Sequence, residues 1–419
     1  MTTRAQLPLA VLLATLVACT TPEPPKPAPP APAPASVPVA VAAPASTPPP
    51  APPPLVAMPF DDAVARSGKK LFEDAAALVG TQERSLIVDP LVDASTGQQT
   101  LASAEMGRAL VGTVKASHPY WRVRDFNRST LAETPLLVIG TLTAINTKPN
   151  TPDPADAYRI CLRVIDLKTG RVVAKGLSRA TTETVNAAPL TVFRDAPTWS
   201  KDNTVNGYIK SCQGTPNIGD PIDTTYLLRL PAAAVINDAQ QADGDNRMAD
   251  ALRLFREASV VAEPDDLRVL NGLYATSWRL GKKREAGEAF HKIAVRGVAT
   301  RQLPLKMFFG TGSATLLPEM QPQYTLWLHE VALASSAASA CLRVVGHTSK
   351  TGSAIRNEAL STQRAAYVRE RLEASEGKLR GKVSSEGVGS RENLIGLGTD
   401  DARDTLDRRV EFRVVSCAT

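Results

Sequence analysis

The chain has 419 residues, 48 of them Lys or Arg and 42 Asp or Glu, for a net charge of +6. That length admits two or three domains. The basic excess is small and interleaved with acids, as in Arg369-Glu370-Arg371, a pattern of solvated helix faces that argues against a nucleic-acid-binding protein.

At the amino end, Arg4 precedes an apolar run over residues 7–18. A run of about twelve residues is too short to cross a bilayer and fits the core of an export signal. It ends in Leu16-Val17-Ala18-Cys19, which resembles the bacterial lipobox. The resemblance implies a lipoprotein signal peptide over 1–18 and a lipidated Cys19. Thr20, rather than Asp, follows the cysteine, which by the same resemblance implies the periplasmic face of the outer membrane. Several acyl chains on one residue anchor stably where a single chain would not. Residues 19–58 are then a linker of almost unbroken Pro, Ala, Val, Ser and Thr. Proline fixes φ and removes amide donors, so neither helix nor sheet persists, and an extended polyproline tether reaches on the order of 100 Å.

Residues 59–228 read as an α/β domain. FDDAVARSGKKLFEDAAALV carries Val64, Leu71, Ala75 and Leu78 at helical spacing. SLIVDPLV is a strand, and SAEMGRALVGTVKASH is a helix opened by Ser103. WRVRDF alternates, PLLVIGTLTAI is a continuous apolar strand, and YRICLRVIDLKTGRVVAKGLSRA folds as a hairpin about Lys168-Thr169-Gly170. This order is similar to the small periplasmic α/β domains of the CsgG, FlgO and LpoB lipoproteins, and the resemblance implies a protein-contact domain. The Pro-, Gly-, Asn- and Asp-bearing stretch 186–226 is expected to wrap the sheet, pinned by Cys212.

Residues 229–302 are helical. NRMADALRLFREASVVAEP, DDLRVLNGLYATSWRLGKK and REAGEAFHKIAVRG place apolar residues at three- and four-residue steps. Leu270, Leu273, Gly281, Ala286, Ala289 and Phe290, after the block 251–258, resemble one and a half tetratricopeptide repeats. About three repeats are needed to bury their own faces, so these helices are expected to pack on a neighbouring domain as a spacer.

From Leu303 to the end the order is βαβαββ, an α+β sandwich with helices on one face of a mixed sheet. The whole chain is thus a multidomain α+β protein. Gly346-His347-Thr348, Gly352-Ser353, Asn357, Leu360-Ser361, Arg364-Ala365, Gly387, Gly389 and Asp407-Arg408-Arg409-Val410-Glu411 resemble the OmpA-like peptidoglycan-associated domain. The resemblance implies non-covalent binding of the diaminopimelate of the peptidoglycan stem peptide. Independently, Gly352 lets the chain turn, and the helix beginning near Ser353 offers unpaired amides to a carboxylate. Asn357, Leu360, Ser361 and Arg364 stand at i, i+3, i+4 and i+7 on one helix face, where Arg364 can grip a carboxylate bidentately. Leu360 reads as core. Thr348, Ser349, Gly352, Asn357, Ser361, Arg364 and Arg408 are therefore the expected binding residues; of Arg408 and Arg409, one is expected near the pocket and one in the framework. Ser349 departs from the family, where Asp meets the ligand's ammonium.

Lipidation of Cys19 leaves Cys161, Cys212, Cys341 and Cys417. Three pairings are possible, and proximity along the chain favours Cys161–Cys212 with Cys341–Cys417. No CxxC occurs and the four histidines are far apart, so neither metal nor cofactor is expected. Gly310-Thr311-Gly312-Ser313 reads as a strand-end turn, not a phosphate cradle. Asp89, Asp93 and Asp166 read as turn acids, and His347 with Ser349 has no evident orienting acid, so no enzyme is expected. A tether between outer membrane and wall is the first functional reading; an adaptor for an envelope or secretion complex, with weakened wall binding, is the second.

Overall fold

The computed structural model describes residues 55–148, 155–190, 196–198, 201–214, 217–303, 305–394, 398 and 402–417. The expected signal peptide, Cys19 and all but the last residues of the linker lie outside them.

The α/β domain is a sheet covered on both faces. Its elements in chain order are β1 (Ala57–Met58), α1 (Phe60–Val79), β2 (Arg84–Val88), β3 (Val92–Asp93), α2 (Leu101–Ser117), β4 (Trp121–Val123), α3 (Arg128–Ala132), β5 (Leu136–Ile145), β6 (Ala157–Asp166) and β7 (Arg171–Thr181). The strand order is β1-β7-β6-β5-β2-β4, with β3 also on β5. Strand β2 runs parallel to β4 and β5, and the long β5–β6–β7 meander is antiparallel. Period-two alternation sorts the side chains. Leu86, Leu136, Val138, Leu142, Ile160 and Leu162 pack with α1 and α2, whereas Ile87, Leu137, Ile139 and Cys161 face the other way. Two helices cover that second face: α4 (Asn203–Gln213) and α5 (Thr224–Gly244). Of the stretch expected to wrap the sheet, residues 203–213 and 224–226 are helical. Helix α5 also runs on across residues 228 and 229, which the sequence pattern divides between two segments.

Three local expectations change. Helix α2 starts at Leu101, because Thr100 is its N-cap: Thr100 accepts from the Ser103 amide (3.1 Å) and Ser103 from the Thr100 amide (2.9 Å). Ser103 therefore closes a capping box from inside the first turn. Leu78 lies on the outer side of α1, 56 % exposed. Cys161 and Cys212 are free thiols. Their sulphurs are 2.6 Å apart, longer than the roughly 2.05 Å of a bond but far inside ordinary sulphur–sulphur contact, so the two are juxtaposed for oxidation. Each thiol instead donates to the other residue's carbonyl, at 2.7 and 3.0 Å.

Helices α6 (Met248–Val261), α7 (Leu267–Arg279) and α8 (Lys283–Ala299) follow. Neighbours in sequence pack on one another, which is a helical run rather than a demonstrated tetratricopeptide array. As expected, the run leans on a neighbour. Tyr274 of α7 and Phe290 of α8 share one core with Trp327 of the carboxy-terminal domain, Phe290 stacking on Trp327 at 5.5 Å between centroids. The indole N–H of Trp327 donates to the Tyr274 hydroxyl at 2.7 Å. Full burial of each such ring contributes about 2–3 kcal/mol.

The carboxy-terminal domain has the expected order: β8 (Lys306–Phe308), α9 (Gln321–Ala337), β9 (Cys341–Gly346), α10 (Ala354–Ser375), β10 (Val383–Gly387) and β11 (Arg409–Val415). The sheet order is β10-β9-β11-β8, parallel between β9 and β10 and antiparallel elsewhere. Leu342, Val344, Val410 and Phe412 bury one face with Val331, Ala365 and Val368 of α9 and α10. Helix α10 rides directly on strand backbones: a Cβ at Gly346 would collide with the Ser361 carbonyl, and one at Gly387 with the Thr362 amide. Cys341 at the start of β9 is disulfide-bonded to Cys417, just past β11, with Cα atoms 5.2 Å apart.

Candidate functional site

Strand β9 ends at Gly346 and delivers His347, Thr348 and Ser349 to the edge of the sheet. Gly352 takes φ +91°, a conformation that favours glycine, and turns the chain into α10. Ser353 caps that helix, accepting from the Arg356 amide at 3.4 Å. Between this turn and the loop after β8 lies a cleft of about 370 Å³, lined by Thr311, Gly312, Thr348, Ser349, Thr351, Gly352, Arg356, Asn357, Leu360, Arg364 and Arg408. Six of the seven expected binding residues meet here.

Their roles differ from the expected ones. Arg364 is fully buried, and its guanidinium donates to three backbone carbonyls: Ser313 from Nε (2.8 Å), His347 from Nη1 (2.8 Å) and Gly310 from Nη2 (3.0 Å). The bidentate fork expected for a ligand is thus already spent on holding two loops together. No carboxylate among the described residues pairs with it. Burial, with Arg408 beside it, pushes its pKa down to about 10. Asn357 donates to the carbonyls of Ser349 (3.2 Å) and Thr351 (3.1 Å) and so fixes the loop's shape. Ser361 is the exception to the cluster. Its hydroxyl donates to Glu358 (2.8 Å) and accepts from the Gly389 amide (2.9 Å), behind the cleft. Leu360 is half-buried on the cleft wall, not core. Arg408 faces the cleft, while Arg409 is framework: its Nε donates to Glu411 at 2.6 Å and its Nη2 to the Glu392 carbonyl at 3.1 Å.

Thr348 carries a buried hydroxyl with no partner among the described residues. Thr348 is 3 % exposed, its amide donates to Gly389 and its carbonyl accepts from Asn393, but its hydroxyl makes no hydrogen bond. A buried hydroxyl left unmet costs on the order of 1–3 kcal/mol. Thr348 lines the cleft, so a turn of its side chain brings that hydroxyl to a ligand oxygen. Sequence pattern did not mark Thr311, Gly312, Thr351 or Arg356. Three of them sit in turns that read as connectors; Arg356, one turn into α10 and exposed, carried the only legible signal, a cation beside a helix entrance.

Behind the cleft, His347 is fully buried, with neither ring nitrogen hydrogen-bonded to a described residue and Nε2 3.8 Å from the Glu411 carboxylate. Burial and the nearby Arg409 lower its pKa to about 3, so it is neutral. No bond joins it to Ser349, and a nucleophilic pair does not form. Burial pushes Glu411 up, but Arg409 and Lys306 outweigh it and hold the carboxyl down at about 2.

The turn acids do not converge. Asp166 accepts from Arg84 at 2.6 and 3.0 Å, and Asp93 from Thr96 at 2.8 Å. Asp89 accepts from the Tyr226 hydroxyl at 2.5 Å in a small cavity reached also by Tyr208 and Arg268. Burial raises Asp89 to about 7. Arg268 there lies 3.1 Å from Asp266 and 3.4 Å from Asp202. Asp89, Asp202, Asp266 and Arg268 form a charged seam between the sheet and the helices, in which Asp202 Oδ2 and Arg268 Nε make no hydrogen bond to a described residue. Among the described residues no group of three or more His, Cys, Asp or Glu is placed to hold a metal ion, and no helix is long and apolar enough to cross a membrane.

Residues 308–405 match the model of the OmpA family. No curated protein matches the chain. Among solved structures, the chain is similar to the peptidoglycan-associated lipoprotein from Burkholderia pseudomallei, at 23 % identity over 26 % of this chain and 89 % of that one, TM-score 0.24. It is similar to the cell wall anchor of the T6SS from Pseudomonas aeruginosa, at 23 % identity over 30 % and 96 %, TM-score 0.24. It is also similar to the LpoB C-terminal domain from Salmonella enterica, at 11 % identity over 29 % and 98 %, TM-score 0.22.

Proposed function

We propose that the OmpA-family domain binds peptidoglycan non-covalently through the cleft above α10, and that a lipid on Cys19 ties the same chain to the outer membrane. The observation that carries the wall-binding half is the Arg364 guanidinium: a buried cation with carbonyl partners and no carboxylate partner among the described residues, at the floor of an open cleft. A carboxylate of a stem peptide supplies that partner, and the Thr348 hydroxyl supplies a donor to it. Arg364 then acts through its field and through the loops it holds. The anchoring half rests on the Leu16-Val17-Ala18-Cys19 sequence and the proline-rich tether behind it.

The test is co-sedimentation of the full chain with purified sacculi. Binding is expected to fall severalfold in Thr348→Val, a near-isosteric change that leaves the Arg364 framework in place. Sedimentation identical to the parent, or none in either protein, counts against the cleft. Labelling of the exported protein with a lipid precursor, lost in Cys19→Ala, tests the anchor.

The adaptor reading draws on Leu228 of α5 and Val260 of α6, 77 % and 82 % exposed on helices tied together by the Arg229–Glu263 pair. In-cell crosslinking from position 228 is expected to capture an envelope protein if this face recruits one.

A further inference from the structure

Across the β6–β7 hairpin, Arg159 stands directly opposite Arg179 and Arg163 directly opposite Lys175, with Cys161 and Leu177 paired between them. Alternation puts these side chains on the sheet face that carries Ile139 and Cys161. Like charges facing each other across a ladder oppose pairing. Among the described residues no carboxylate pairs with any of the four cations. Arg159 donates to the Gln213 side-chain carbonyl at 2.9 Å, Arg163 to the Leu162 carbonyl at 2.9 Å and Arg179 to the Leu55 carbonyl at 3.1 Å, all neutral acceptors. Arg163 is 4 % exposed and its Nε has no partner. Helix α4 packs on β5 and β6 of this face, and beyond it Leu177 of β7 is 49 % exposed.

The outer edge of β7 is also incomplete. On the side away from β6, β1 covers Arg179 and Ala180, and residues 219–221 cover Arg171 and Val172. Among the described residues no strand pairs with 173–178 on that side. An open edge of this kind is a template for one more strand. Every second side chain of such a strand would stand beside Lys175, Leu177 and Arg179.

We propose that this gap accepts an extended segment of a partner protein in which an acidic, an apolar and a second acidic residue recur at every second place. The acids meet Lys175 and Arg179, and the apolar residue meets Leu177. Charge complementarity selects this occupant. A second copy of β7 has no acid between Arg171 and Thr181 and would bring only like charges. The linker over 19–58 holds one acid, Glu23, among prolines that cannot donate to a ladder. A membrane surface reads protruding cations, whereas Arg163 is recessed. The proposal does not rest on wall binding by the cleft, which belongs to the carboxy-terminal domain.

Fluorescence anisotropy of the full chain with a labelled peptide tests this. The probe is a run of threonines carrying aspartate, valine and aspartate at successive alternate places. It is expected to bind, and to bind at least about tenfold more weakly to Lys175→Glu/Arg179→Glu. A probe with lysine in place of both aspartates is expected to bind that variant and not the parent, a rescue that an unfolded variant could not give. A scrambled probe with adjacent aspartates, which a strand turns to opposite faces, is expected to bind the parent at least about tenfold more weakly than the first. Hydrogen exchange over residues 173–178 is expected to slow when the first probe is bound. Failure of the first probe to bind overturns the inference. So does equal binding of the scrambled probe, or binding without slowed exchange, since either reduces the surface to bare charge. Flotation of the Cys19→Ala chain with phosphatidylglycerol vesicles, abolished by the same charge reversal, would assign the cations to a lipid headgroup and overturn it as well.

Discussion

Arg364 shows how a residue can sit in the right place and act differently from its pattern. Its spacing from Asn357 on α10 pointed to a ligand clamp, and only the structure reveals three carbonyls from two loops as its partners. Arg364→Ala is therefore expected to cost stability before it costs affinity, about 3–5 kcal/mol, because buried carbonyls lose charged donors. Urea unfolding checks this, with Arg364→Lys falling between, since one ammonium does not reach all three carbonyls with fixed fork geometry. His347 gives a prediction in pH. Its pKa falls from the ordinary 6.5 to about 3 on folding, so between those values the unfolded chain holds the extra proton. Its contribution to stability is full above about pH 6.5 and is lost as pH falls toward 3. His347→Gln is expected to flatten that part of the stability profile, measured as the urea midpoint between pH 4 and 7. Sequence could place His347 beside the loop but not bury it, because burial depends on what β11 brings across from sixty residues away.

Among the elements, strands and helices with strong apolar periodicity were legible: α1, β5, the β6–β7 hairpin and the βαβαββ order of the carboxy-terminal domain all form. Helices α3 and α4 were not, since Asn127 and Asp202 cap them from stretches that otherwise read as loop. The glycines at the ends of β9 and β10 were read as motif positions; their physical reason is the contact with α10. Gly346→Ala is expected to lower stability by about 2–3 kcal/mol, because the Ser361 carbonyl is backbone and cannot swing aside. Thermal unfolding monitored by circular dichroism measures it. The cysteines supply a chemical check on two elements at once. Alkylation of the denatured, unreduced protein is expected to label Cys161 on β6 and Cys212 on α4. Cys341 and Cys417 are expected to react only after reductant is added, as peptide mapping would show.

On the scale of the whole molecule, the helices and the carboxy-terminal domain are coupled, because one core passes from Leu270 and Phe290 through Trp327 to Val344 and Phe412. Helical periodicity announced apolar faces on α7 and α8 but not their destination, which is set by tertiary packing. Phe290→Ala, a change confined to α8, is expected to destabilise the unfolding seen by Trp327 fluorescence in the next domain by about 3–5 kcal/mol. A transition that leaves the carboxy-terminal domain unaffected would show the two cores to be separate.

The link between Cys341 and Cys417 has a mechanical side. It lies at the end of β9 opposite the cleft, so a pull on the cleft loop runs along the strand and arrives at a covalent staple. The bond ties the carboxy-terminal end of β11 to the start of β9 and blocks peeling from that end, so rupture is expected to begin instead at the three-residue β8. Reducing conditions would open β11 to peeling from Val415, turning a covalently closed seam into a frayed one.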